Sequence, residues 1–338
     1  MRFAPEPEQV AFGQVLERIF AAAGTPSVVR AWARGEHGPG LALWGRAARA
    51  GVFTPAAPEA LGGVGALPVE LAVACVAWGR HCVPGPLVET VAATVLLTRL
   101  AESGEPAPAR AWVPRVCEGQ ARVTLAAPAA GPYALDADVA DALFVVTADD
   151  ELRLAPGHGP VRRSLDPARR LARPRPGGQL LAAGPPVRDA AARAAEWAAF
   201  ATAAQALGVG LTLLDRTVAY ARQRVQFGRP IGSFQAVKHR LADTLVSLEF
   251  ARPLLDAAGV ALAAGGPGAA ADVAAAKVAA CEAAYAAART ALQVHGAIGY
   301  TAAYDLSLWI GKARALRSAW GSPADCRARV LQGDIIHL

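Results

Sequence analysis

Apolar residues recur at helical spacing over most of the chain and at strand spacing in one short stretch. Val10, Phe12, Val15, Leu16, Ile19 and Phe20 form a stripe that predicts a helix over 9–23. The same spacing predicts helices over 41–50, 69–79 and 87–100. The run Leu61-Gly62-Gly63-Val64-Gly65 separates the second from the third, and Pro84-Gly85-Pro86 marks a stop and restart before the last.

Between 118 and 186 the pattern changes. Short strand-like runs at 121–127, 142–147 and 151–154 alternate with turn residues, then thin into arginine, proline and glycine up to Pro185-Pro186. From Val187 the helical pattern returns as one long alanine-rich helix to Gln223. Phe234, Val237, Leu241, Leu245 and Leu248 fall on one face of the next helix, wide enough to bury, and Pro253 kinks it or marks its last turn. Helices over 269–294 and 303–319 complete four, for which antiparallel packing is natural. No repeat of solenoid period is present. The expected fold is mainly α with a small β domain: an N-terminal helical domain (1–117), a reduced middle β domain (118–186) and a C-terminal four-helix bundle (187–338).

Composition supports this division. The chain of 338 residues is 54% hydrophobic, enough for a large core. Alanine fills many apolar positions, and it favours helix. The net charge of +6 comes almost wholly from arginine, since lysine occurs only at Lys238, Lys277 and Lys312. Spread along the chain, that excess is too weak for a dedicated nucleic-acid surface. Five cysteines without a CxxC pair argue against a disulfide framework or a zinc site. The opening residues lack the apolar run of a secretory signal, and the stretch 260–264 is too short for a membrane span, so a cytoplasmic protein away from membranes is expected.

Two segments are richer in special residues than a plain bundle needs. In Arg222-Gln223-Arg224-Val225-Gln226-Phe227-Gly228-Arg229-Pro230-Ile231-Gly232-Ser233-Phe234-Gln235, a helix ends in arginines, turns through Gly and Pro, and restarts. In Gln293-Val294-His295-Gly296-Ala297-Ile298-Gly299-Tyr300-Thr301, a helix meets two glycines and a polar–aromatic tip. Taken singly, each reads as a helix hairpin or a glycine C-cap.

Together, Arg-x-x-Phe-Gly followed by Phe-Gln, and Gln-x-x-Gly-x-x-Gly-Tyr about seventy residues later, resemble the C-terminal domain of the acyl-CoA dehydrogenases. These are FAD enzymes that desaturate acyl-CoA thioesters. The stretches 44–63 and 79–90 resemble the family's N-terminal domain. The resemblance implies FAD shared across a subunit interface. Arg224 would meet the pyrophosphate of FAD held mainly by a neighbour, and Phe227 and Ile231 would pack on its adenosine half. Gln293 would hydrogen-bond pyrophosphate or ribose, and Gly296 with Ala297 would admit the backbone closely. The family usually has glycine where Ala297 stands.

The family's reaction needs a carboxylate to take the α-proton. Its usual position, before a Gly-Thr pair, corresponds to Trp320, and the alternative position corresponds to Ala198; neither side chain is a base. Glu196 is about 200° around the helix from Ala198. Asp325 reads as a capping acid, Asp305 as a structural acid and Cys326 as packing. The flavin-holding motifs of the middle domain are missing, and Tyr133, Asp136 and Asp138 resemble the family's shortened middle domains. Ser322 stands in for the usual threonine beside the flavin, while Ala324 replaces a glutamine that often contacts it.

The expected function is therefore a non-catalytic subunit of a hetero-oligomeric acyl-CoA dehydrogenase, of the kind acting on large acyl-CoAs such as steroid side chains. A homologous partner would carry the catalytic glutamate and most of the acyl-CoA site. A homomeric flavoenzyme of altered chemistry, whether oxidase, monooxygenase or reductase, and a non-enzymatic structural partner are the alternatives.

Overall fold

The computed structural model describes residues 5–266 and 268–336. Six helices come first: α1 (Pro7–Ala21), α2 (Thr25–Ala33), α3 (Gly38–Arg49), α4 (Pro68–Arg80), α5 (Leu87–Glu102) and α6 (Ala107–Cys117). Proline stands in the first turn of all but α5, where its missing N–H costs no helical bond.

The middle of the chain forms β1 (Val123–Ala126), β2 (Ala134–Leu135), β3 (Ala142–Val146), β4 (Glu151–Leu154), β5 (Leu171–Ala172) and β6 (Gln179–Ala183). A mixed four-stranded sheet runs in the order β1-β3-β4-β6, with β1 and β3 parallel and the other neighbours antiparallel. The short strands β2 and β5 pair separately.

The remainder is helical apart from one hairpin. α7 (Pro185–Gln223) leads into β7 (Val225–Gln226) and β8 (Arg229–Pro230). Then follow α8 (Gln235–Ala264), α9 (Ala269–His295), α10 (Leu306–Leu316) and α11 (Pro323–Ile336). The N-terminal helices, the reduced sheet and the C-terminal bundle have the expected architecture.

α7 is the axis of the molecule, packing against α4, α5, α8, α9 and α10. It is long and apolar enough to cross a membrane, yet 89% of its most apolar window is buried in the fold, which makes it a core helix. Its crossing with α4 is set by two glycines. A Cβ at Gly79 would lie 2.0 Å from the Gln205 carbonyl oxygen, and one at Gly208 would lie 2.0 Å from that of Val76. Only hydrogen at both positions allows the backbones to touch.

Several expectations need correction. α2 and α6 were not anticipated. α8 continues through Pro253 to Ala264, with Pro253 on its exposed side, so the proline does not end the helix. The stripe on α8 is only partly buried: Leu248 is enclosed, whereas Leu245 is exposed, and so are Val246, Phe250 and Leu254.

Candidate functional site

The segment after α7 folds as a tight hairpin. Phe227 and Gly228 both have positive φ, 54° and 76°, as a two-residue turn between twisted strands demands. Asparagine or glycine is the usual first residue there, so the phenyl ring sits on a strained backbone. It is 93% exposed. The Arg224 carbonyl accepts the Ile231 N–H at 2.8 Å and closes the hairpin, while the Arg224 side chain is exposed. Arg229 covers the Phe234 ring, its guanidinium carbon 4.2 Å from the centroid.

The second segment caps α9. Gly296 has φ 67°, and a 3-10 turn runs from there to Tyr300. Gln293, Gly296 and Ala297 are exposed, and His295 between them is buried. The His295 ring stacks on Tyr220 at 4.1 Å, and its Nδ1–H donates to the Ala291 carbonyl at 2.8 Å. Because a carbonyl can only accept, the neutral ring carries its proton on Nδ1. Burial pushes the imidazole below its ordinary value, so it stays neutral. The stack ties the last turn of α7 to the last turn of α9. Hairpin and glycine turn therefore leave the bundle at the same end.

Trp320 lies elsewhere, enclosed where α5, the sheet and the bundle meet. It is 3% exposed, has φ 54°, and its indole Nε1–H donates to Glu89 Oε1 at 3.2 Å. The chamber beside it measures only about 20 Å³, and Glu89, Asp136, Gln205, Arg169 and Lys312 are among its walls. Glu89 Oε2 and Asp136 Oδ2 have no partner among the described residues. Burial drives the Asp136 carboxyl up to about 8, against the donation of Trp32 Nε1–H to its Oδ1 at 3.0 Å. Across the chamber, Lys312 Nζ lies 2.8 Å from Asp166 Oδ2, both side chains enclosed. Burial opposes the ammonium charge, but Asp166 outweighs it and raises Lys312 above its ordinary value.

Two domain families match this chain: the acyl-CoA dehydrogenase N-terminal domain over residues 6–120, and the C-terminal domain over 188–329. Acyl-CoA dehydrogenase IpdE2 of Mycobacterium tuberculosis is 32% identical over 329 residues, spanning 96% of each chain. The chain belongs to the acyl-CoA dehydrogenase family. The IpdE2 of Mycolicibacterium smegmatis is 31% identical over 92% of this chain and 93% of its own. Among solved acyl-CoA dehydrogenase structures, a variant of the Tcur3481–Tcur3483 steroid ACAD superposes with a TM-score of 0.83 at 25% identity, covering 98% of both chains. The ChsE4–ChsE5 complex from M. tuberculosis gives 0.79 at 25% identity, covering 99% of both.

The other acyl-CoA dehydrogenase candidates in the sequence have local partners. Ser322 and Asp325 cap α11 reciprocally: Ser322 Oγ–H and N–H donate to Asp325 Oδ2 at 2.6 and 3.0 Å, which holds that carboxyl below its usual range. α11 lies along α9 near Glu282, which Arg327 approaches to 3.9 Å. That contact is about 16 Å of helix from Gln293, so Ser322 does not join the hairpin and glycine turn. Glu196 pairs with Arg193 at 2.9 Å, and Asp305 with Arg30 at 2.7 Å. Ala198 is enclosed in α7 and Cys326 is buried, with desolvation raising its thiol. Asp138 receives the Arg170 guanidinium at 2.6 Å.

Sequence reading missed Glu89, Asp166 and Lys312. A signal for Glu89 was present, because it is the lone acid in the apolar run Leu87-Val88-Glu89-Thr90-Val91-Ala92. A charge in such a run needs a partner inside the fold.

Proposed function

We propose that this chain is the non-catalytic subunit of a hetero-oligomeric, FAD-dependent acyl-CoA dehydrogenase. One observation carries the reading: the position matching the family's base holds an enclosed tryptophan hydrogen-bonded to Glu89, beside a chamber of about 20 Å³. No isoalloxazine ring or thioester fits that volume, and indole offers no proton acceptor.

At the hairpin end, the donor set suits the dinucleotide half of FAD bound mainly by a homologous subunit. The Arg224 guanidinium matches pyrophosphate oxygens, Phe227 and Ile231 offer apolar surface to adenosine, and the Gln293 amide reaches a polar oxygen. Gly296 and Ala297 let the backbone come close. FAD, when bound, supplies the two-electron acceptor for desaturation. The partner contributes the catalytic glutamate and most of the acyl-CoA pocket. Ser322, committed to Asp325, is left out of this set. That heteromeric form agrees with similarity to a chain of the ChsE4–ChsE5 complex and to the two-component Tcur3481–Tcur3483 steroid ACAD. A large acyl-CoA in lipid or steroid catabolism, and a cytoplasmic location, are part of the same proposal.

Flavin per polypeptide tests the reading. The chain purified alone carries little flavin, and adding a glutamate-bearing family partner restores flavin and desaturase activity. One tightly bound flavin per chain without a partner refutes it and favours a homomeric flavoenzyme. Assembly that leaves flavin unchanged favours a purely structural subunit.

A further inference from the structure

One stretch of the middle domain is rich in arginine and poor in acids. Residues 155–187 hold six arginines and a single acid, Asp166. Asp166 is turned inward to Lys312, and Arg170 is paired with Asp138. Arg162 and Arg173 have no carboxylate partner among the described residues.

Backbone pairing brings these two arginines together. The bridges Arg162–Leu171 and His158–Pro174 make an antiparallel ribbon, closed by the Gly159 N–H donating to the Arg173 carbonyl at 2.8 Å. Arg162 faces Leu171, and Arg173 follows two residues later on the same side. Both guanidiniums flank one ring: their carbon atoms lie 5.9 and 5.3 Å from the Tyr133 centroid. The Arg173 guanidinium, helped by the nearby Arg162 charge, holds the Tyr133 hydroxyl below its ordinary value.

A groove of about 800 Å³ adjoins this cluster, with Pro132 and Pro174, the chain neighbours of Tyr133 and Arg173, in its wall. Ala126, Val145 and Val146 give it apolar surface, and Thr147, Arg153 and Arg175 also line it. It shares no lining residue with the chamber at Trp320.

We infer that Arg162, Arg173 and Tyr133 form an anion site for the phosphate of a small soluble organic phosphate, whose apolar or planar body lies in the adjoining groove. Two guanidinium forks and a hydroxyl present more donors than one carboxylate can accept, and they match a phosphate with three free oxygens. A dianion also relieves the repulsion between two cations held over one ring. This site is independent of the flavin reading, because it uses none of the hairpin or glycine-turn residues.

Calorimetric titration of the full chain with ADP and with pyrophosphate at low salt tests the site. ADP binds at least tenfold tighter than pyrophosphate, because only ADP fills the groove. The double variant Arg162→Ala/Arg173→Ala weakens ADP at least tenfold, and Tyr133→Phe weakens it severalfold. Arg163→Ala removes an equal charge next door and changes ADP binding less than twofold. All these side chains lie at the surface, and circular dichroism checks that each variant is folded. Equal binding of ADP and pyrophosphate overturns the inference, as does an Arg163→Ala loss matching that of the double variant, the mark of diffuse charge. Loss of ADP binding in Arg224→Ala with retention in the double variant overturns it too, by assigning the nucleotide to the hairpin.

Discussion

Trp320 and Glu89, 231 residues apart in sequence, share a hydrogen bond in the closed core, indole Nε1–H to carboxylate Oε1 at 3.2 Å. Glu89 is the acceptor that makes a buried tryptophan tenable there, and Trp320 is the donor that makes a buried carboxylate tenable. The pair separates shape from hydrogen bonding. Trp320→Phe keeps most of the volume and strands Glu89 Oε1, so it destabilises by about 1–3 kcal/mol. Trp320→Ala loses the volume as well and costs about 3–5 kcal/mol. Urea unfolding of the two variants measures both numbers, and a Trp320→Phe variant as stable as wild type would contradict a role for the hydrogen bond.

Arg224 is exposed in the single chain, and its removal leaves the fold alone. Arg224→Ala therefore melts at the wild-type temperature, yet it weakens flavin retention in the reconstituted complex by about 2 kcal/mol, roughly 30-fold. Flavin released on dilution of the complex gives the ratio. An unchanged ratio would remove Arg224 from the shared site.

Asp136 sets a pH dependence whose sign follows from its buried carboxyl. The folded value of about 8 lies above the ordinary 3.8, so between those limits the native chain binds more protons than the unfolded one. Stability falls as pH rises through that window and levels off above it. Glu89, Asp138 and Lys312 are the charged groups acting on this carboxyl. Asp136→Asn keeps a neutral side chain that tolerates the positive φ of 52° at this site. The variant exceeds wild type in stability at pH 8, and the gap shrinks toward pH 5. Denaturant midpoints at three pH values decide the matter.

Lys312 and Asp166 tie α10 to the loop before β5. Lys312→Met leaves Asp166 charged, enclosed and unpaired, a loss of about 3–5 kcal/mol. The double variant Lys312→Met/Asp166→Leu recovers most of that loss, because the solitary charge is gone. A double-mutant cycle by thermal unfolding measures the coupling, and additivity would show that the two charges do not interact.

The parts of the fold that sequence reading reached are those specified locally. The order of arginine, phenylalanine and glycine after α7 marks the turn there, though not its two short strands, and glycine at 296 marks the turn after α9. α2 was missed because its nine residues carry the buried Val28, Val29 and Trp32 in too short a run for periodicity to register. α6 was missed because Pro108 and Pro114 read as breakers. In the fold, Pro108 sits in the first turn, and Pro114 lies near the end. The chamber was illegible for a different reason. Its walls come from α5, β2, the loop before β5, α7, α10 and Trp320, and no local pattern records which distant side chains share a space.

The enclosed tryptophan also bears on reversibility. Returning a glutamate to position 320 would take the indole donor from Glu89 and set another carboxylate beside it and Asp136 in a space that admits little water. Regaining a base would therefore require Glu89, the indole and the loop around Asp166 to change together. A chain that has taken this route faces a one-way step: a single substitution removes the acid, but no single substitution brings it back into working order.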